Sequence, residues 1–180
     1  MNLRGIKIVS FFGVFAFTFL FHFLYEWFPN PVFSIFFPVN ESIWEHMKLL
    51  YSGFLFWSFI ERFLIKKNDI IVSNYTLNLF IVMVTSIIVY LILYLPLYAI
   101  FGESMFIAIS LLIIVILLEE ILSYYLLESN KKNNILNRIC IVLILLGYVV
   151  FASLTYNPLR NYIFYDTQHN KYGIDIYSKD

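Results

Sequence analysis

IIVSNYTLNLFIVMVTSIIVYLILYLPLYAIF, residues 70–101, contains no Lys, Arg, Asp or Glu. A membrane-spanning helix needs about 20 largely apolar residues, and this run exceeds that length. Lipid is the solvent such a segment fits. Pro96 within it is expected to kink or end the helix. Four further segments of spanning length lie on either side: Ile6–Phe28, which stops at Pro29-Asn30-Pro31; Ser42–Ile65; Ser104–Leu127; and Leu136–Tyr156, which stops before Pro158. The second is the most charged, with only Leu49–Ile60 free of formal charge between Lys48 and Glu61. Long side chains at its ends can snorkel to the interface, so it is kept in the count. The sequence thus predicts an all-α, polytopic membrane helix bundle of about five transmembrane helices. Residues 1–157 form one transmembrane domain, and 158–180 a polar and aromatic tail.

Composition agrees with that class. The chain is 61% hydrophobic and 13% charged, with mean hydropathy +0.80, whereas soluble domains carry about 25% charged residues. Twelve basic residues balance twelve acidic ones, and a nucleic-acid partner would call for a basic patch. Cys140 is the single cysteine, which excludes an intramolecular disulfide, and it reads as a small buried core residue. The apolar run from Ile8 to Tyr25 is too long for a signal-peptide core, so the first helix is expected to stay in place.

Loop charge gives an orientation. Arg4 and Lys7 precede the first segment, Arg62, Lys66 and Lys67 separate the second from the third, and Lys131, Lys132 and Arg138 separate the fourth from the fifth. The other side has Lys48 and, in the tail, Arg160, Lys171 and Lys179, while the loop from Pro29 to Val39 and the one at Gly102-Glu103 have neither Lys nor Arg. By the positive-inside rule the N-terminus is cytoplasmic and the tail lies outside. The tail, with Tyr162, Phe164, Tyr165 and Tyr172, is expected to anchor at the outer interface. Its alternative is to fold over the bundle mouth, where Asp166 and His169 would join the groups there.

Chemistry concentrates in Asn40-Glu41-Ser42-Ile43-Trp44-Glu45-His46-Met47-Lys48. Charged groups near a bilayer sit at the interface, pair, or line a wet cavity. Asn40 reads as an N-cap, or Ser42 and Glu45 as a capping box. Glu41, Glu45, Lys48 and Ser52 fall on one stripe at helical spacing, and His46 points to the side shared with Ser42 and Gly53. Capping accounts for part of this block, but not for His46 or for a charged stripe running into an apolar helix. On the first segment, Thr18, His22 and Glu26 recur every four residues and so share a face. A short connection makes the first two helices antiparallel neighbours, which gathers His22, Glu26, Glu41, Glu45, His46 and Lys48 at their outer ends. Two imidazoles and up to three carboxylates suit a divalent metal, and Lys48 suits a phosphate or an ion pair. The bland reading is helix capping and His-Glu pairing. In the fourth segment Glu119 and Glu120 form an intramembrane acidic pair, either paired with Arg62 and Arg138 or serving as a proton or ion site.

The pattern Phe23-Leu24-Tyr25-Glu26-Trp27, then Pro38 to Lys48, then Ile163-Phe164-Tyr165-Asp166 and Tyr172-Gly173-Ile174, is similar to a family of small bacterial integral membrane proteins of unknown function. The resemblance covers nearly the whole chain. It implies a compact multi-helix fold, a multi-pass place in a bacterial plasma membrane, and no assigned activity. Three roles therefore stand open: an outer-face cluster binding a metal or polar headgroup, a metal- or acid/base-dependent hydrolase acting on a lipid, and a structural subunit. Expected partners are the bilayer and either a second copy or another membrane subunit.

Overall fold

In a computed structural model of the chain, the residues described are 1–128 and 132–174. Lys131 and Lys179 lie outside them. Each of the five apolar segments is one long helix: α1 Leu3–Trp27, α3 Ile43–Lys67, α4 Tyr75–Phe101, α5 Met105–Glu128 and α6 Asn134–Tyr156. A short helix, α2 Pro31–Phe36, brings the described helices to six. It was not expected from the sequence, where Pro29-Asn30-Pro31 reads as a stop. The same residues also start a helix, because the Asn30 side chain accepts from Phe33 N–H at 3.0 Å and Pro31 occupies the first turn, where its missing N–H costs nothing. Pro96 does not end α4, which continues to Phe101.

Four helices, α1, α4, α5 and α6, are long and apolar enough to cross a membrane. The fifth long helix, α3, carries charges near both ends and runs through the core, flanked by α1 and α4 and touching α6. Its neighbours come close where it meets small residues. A Cβ on Gly13 of α1 would stand 2.2 Å from the Trp57 ring, and one on Gly53 would stand 2.5 Å from Thr18 Cγ2. Polar side chains on α3 find partners across the bundle, as buried polar groups require. Tyr51 O–H donates to the Ile144 carbonyl at 3.1 Å, and Ser52 O–H to the Phe36 carbonyl at 2.6 Å.

Capping settles where α3 begins. Ser42 is the N-cap, accepting from Glu45 N–H at 3.3 Å. Asn40 sits outside the helix and accepts from Ser42 N–H. Only half of the expected capping box forms, since the Glu45 carboxylate turns elsewhere.

The tail folds across this helix start rather than lying apart as an interfacial anchor. Strands β1 Tyr165–Asp166 and β2 Lys171–Tyr172 pair antiparallel. Trp44 N–H donates to the Ile163 carbonyl at 2.9 Å, Asn40 Nδ2 to the Gly173 carbonyl at 2.9 Å, and Ile174 N–H to the Thr155 carbonyl at 3.1 Å. The first N–H groups of any helix lack internal partners, and tail and loop atoms meet some of that need here.

The Gly13–Trp57 contact yields a prediction. Trp57 is 9% exposed and has little room to retreat, so Gly13→Ala overpacks the α1–α3 interface and costs about 1–3 kcal/mol. Thermal unfolding in mild detergent should show a clear drop in Tm. An unchanged Tm would mean that the interface is loose.

Candidate functional site

Helix α1 presents His22 one to two turns before its end, and α3 presents His46 in its first turn. Between them, Glu41 precedes the Ser42 cap and so escapes the helical stripe on which sequence spacing puts it. Its carboxylate Oε2 lies 3.5 Å from His22 Nε2 and 3.3 Å from His46 Nε2. The two imidazole rings stand 5.4 Å apart, centroid to centroid. One ligand atom from each of the three residues falls within 4.8 Å of the others. All three are half-buried, so water reaches the group.

The tautomer of His46 follows from its second contact. Nδ1 lies 3.0 Å from the Ser42 carbonyl oxygen. A carbonyl only accepts, so Nδ1 carries a proton. In the neutral ring Nε2 then turns a lone pair toward the Glu41 carboxylate. A hydrogen bond from one ring nitrogen to a backbone carbonyl is also the usual second contact of a metal-ligating histidine.

The tail holds Glu41 in place. Asp166 accepts from the Glu41 N–H at 3.0 Å and from the Gln168 and His169 N–H groups at 2.9 and 3.0 Å, and its Oδ2 lies 2.9 Å from His169 Nδ1. Burial alone would raise the Asp166 carboxyl, but the hydrogen bonds from the Glu41 and His169 N–H groups and the His169 ring outweigh it and hold it below its usual range. Burial likewise opposes ionisation of Glu41, and His22 and His46, when protonated and donating from Nε2, overcome it and keep that carboxyl well below its usual range.

The remaining candidates lie elsewhere. Glu26 is exposed near the end of α1. Each step of four residues overshoots a full turn by about 40°. The Thr18-His22-Glu26 row therefore drifts from buried Thr18 to half-buried His22 to the surface. Glu45 and Lys48 form an ion pair of 2.7 Å at 1% and 0% side-chain exposure. Glu45 also accepts from Val39 N–H at 3.0 Å and Thr155 O–H at 2.7 Å, and Lys48 donates to the Ser34 carbonyl at 2.7 Å. Both are committed to the core, and Lys48 does not reach the cavity.

Glu119 and Glu120 are buried, but not against Arg62 and Arg138, which are exposed. Glu119 accepts from Thr85 O–H at 2.7 Å. Glu120 lies 3.2 Å from Lys7 Nζ, which also donates to Glu61 at 2.7 Å. Lys7, expected as a loop charge, sits inside α1 because the helix starts at Leu3.

The three converging groups border a cavity of about 590 Å³. Its wall includes Tyr90, Tyr94 and Tyr98 of α4, and its mouth includes Glu103, Thr167 and Gln168. None of these six was singled out from the sequence. The tyrosines recur every four residues within an uncharged run, and that stripe is the signal that marks them. Glu103 accepts from Thr167 O–H and, at 2.6 Å, from Gln168 Nε2.

A family model, described as a family of unknown function (DUF6512), matches residues 2–174. The chain belongs to this family. No curated protein and no solved structure matches it. The match spans α1 to the tail hairpin, so every group at the cavity mouth lies within the DUF6512 region.

Two predictions follow from this geometry. Lys48→Met strands the Glu45 carboxylate in the core and should cost about 3–5 kcal/mol, read as a lower midpoint in SDS titration from mixed micelles; a midpoint within error of wild type would contradict the burial. Asp166 has a lowered folded-state pKa, so its contribution is complete above about pH 4 and fades as pH falls further. The Tm difference between wild type and Asp166→Asn should therefore close as pH falls below that point. A gap that widens below it would reverse the assignment.

Proposed function

We propose that His22, Glu41 and His46 hold a divalent transition metal at the mouth of the cavity. The observation that carries this reading is the fixed tautomer of His46. With Nδ1–H committed to the Ser42 carbonyl, a neutral His46 faces the Glu41 carboxylate lone pair to lone pair at 3.3 Å. Such an arrangement is stable only with a cation between the two atoms: a metal ion, or a proton on Nε2. His22 Nε2, 3.5 Å from the same carboxylate oxygen, adds a third donor, which one proton does not need and a metal does. Zinc bonds of roughly 2.0–2.1 Å in a tetrahedron put neighbouring ligand atoms about 3.3 Å apart, close to both separations. Two imidazoles and one carboxylate also leave a position open for a ligand.

The protein in this reading spans a bacterial plasma membrane five times, with α3 as the fifth span. Support comes from the lipid-ready outer residues of α3, Phe59 and Phe63, which are 66% and 62% exposed, while Glu45, Lys48 and Glu61 point inward. Positive charge at Arg4, Lys66, Lys67 and Arg138 on one side, against Arg160 and Lys171 in the tail and none in residues 29–42, supports a cytoplasmic N-terminus and a metal site outside. A purely structural role accounts for Glu45 and Lys48, which are fully paired, but not for three half-exposed ligating groups around one point.

Metal content tests the proposal. Protein purified untagged in mild detergent should carry near-stoichiometric zinc, manganese or iron, and the His22→Ala/His46→Ala double variant should carry none. Binding requires neutral imidazoles, so it should weaken below about pH 6. A folded, metal-free protein after incubation with each ion at neutral pH would overturn the reading in favour of a proton on His46.

A further inference from the structure

The cavity extends far beyond the three ligating groups, and its polarity is graded. At one end stand His22, Glu41 and His46. The body is formed by Leu49, Leu50, Ala108 and Leu112 together with the tyrosine wall of α4. Among the lining residues there is no Lys or Arg, so nothing along the body would hold a polyanionic solute such as a nucleotide. Its volume of about 590 Å³ falls within the range of roughly 300–1,000 Å³ typical of small-molecule sites.

The cavity also opens sideways. Helices α1 and α5 meet at the Lys7 end, where Lys7 lies 3.2 Å from Glu120. Toward the His22 end both helices carry exposed residues that line the cavity. The buried residues of α5 begin only at Leu111, and Met105 and Ile109 before it are 77% and 39% exposed although both line the cavity. Across from them on α1, Phe19 also lines the cavity and is 58% exposed. Residues that border a cavity and face outward at once form the rim of an opening. In a bundle that crosses a membrane this rim faces acyl chains rather than water.

We propose that the cavity takes one chain of an anionic amphiphile, admitted between α1 and α5, with its phosphate or carboxylate at His22, Glu41 and His46. The headgroup class rests on the metal reading above: the position that two imidazoles and one carboxylate leave open on a divalent ion takes an anionic oxygen. Glu103 at the mouth keeps its charge, since Thr167 and Gln168 are neutral donors, so coordination to the ion holds the headgroup rather than a net positive field. The chain assignment rests on the lining and the rim alone. Depth fits both, since His22 and Phe19 are one turn apart on α1, so a headgroup at the first leaves the chain beside the second.

The experiment is photo-crosslinking in phosphatidylcholine nanodiscs, with a phosphatidic acid probe carrying a diazirine in its acyl chain and the matching phosphatidylcholine probe as control. Metal content is measured on the same samples. The phosphatidic acid probe should label peptides of α1 and α5 around Phe19, Ile109 and Leu112 at least fivefold more than the control. Ala108→Trp, which fills the cavity, should abolish that excess and leave the metal in place; Leu112→Trp serves if the first variant does not fold. Displacement of the probe by millimolar inorganic phosphate, with no effect of Ala108→Trp, would assign the site to free phosphate and overturn the chain assignment. So would labelling spread evenly onto outward residues of α6 such as Leu145. Headgroup-selective labelling of a metal-free protein would overturn the metal reading and leave the cavity assignment standing.

Discussion

The Glu45–Lys48 ion pair, 2.7 Å long and sealed from solvent, constrains every element around it. Two charges withdrawn from water cost several kcal/mol each unless their remaining hydrogen-bonding capacity is filled. Three separate parts of the chain do that filling. The Ser34 carbonyl of α2 takes the ammonium, the Val39 N–H and the Thr155 hydroxyl of α6 take the carboxylate, and α3 supplies the pair itself. The α1–α3 connection cannot be an arbitrary loop, because its backbone must arrive at Glu45 and Lys48 in the right pose. The short helix α2 is the device that delivers it.

The same requirement separates the charged residues into two sets. Glu45 and Lys48 on α3, and Lys7, Glu61 and Glu120 nearer the other end, are buried and answer one another. His22, Glu41 and His46 are half-buried around one point. Their geometry is held from outside, since Asp166 fixes the Glu41 backbone and the Ser42 carbonyl fixes the His46 ring. A cluster whose side chains are positioned by a second layer of contacts keeps its shape on its own.

The sequence showed the bundle readily and the site in part. Bilayer thickness imposes a length that uncharged runs must meet, so residues 70–101 and the other segments announce their helices directly. α2 is too short for periodicity, and its start signal coincides with a stop signal at Asn30-Pro31. His22, Glu41 and His46 stood out because imidazole and carboxylate are rare beside apolar runs. Glu45 stood out for the same reason, yet sequence spacing does not tell a carboxylate at a cavity mouth from one sealed in an ion pair. That difference depends on where α3 begins, and two candidate caps two residues apart, Asn40 and Ser42, left the start open. Glu103, Thr167 and Gln168 come from a loop and the tail, and only the fold brings them to the cavity mouth. The tyrosines of α4 were hidden for a different reason, because in an uncharged helix an aromatic stripe reads as lipid-facing until a cavity is seen beside it.

Thr155 lies in the last turn of α6, and its hydroxyl completes the shell around Glu45. Chains are made from the N-terminus, so α3 is complete well before α6 emerges. During that interval the Glu45 carboxylate lacks one of its partners, and the tail that covers the start of α3 does not yet exist. The nascent protein therefore passes through a stage in which its most polar helix is incompletely shielded. Biogenesis should be sensitive at that stage: a ribosome stalled before α6 leaves an intermediate that insertion factors must hold and that membrane proteases can recognise by its exposed charge.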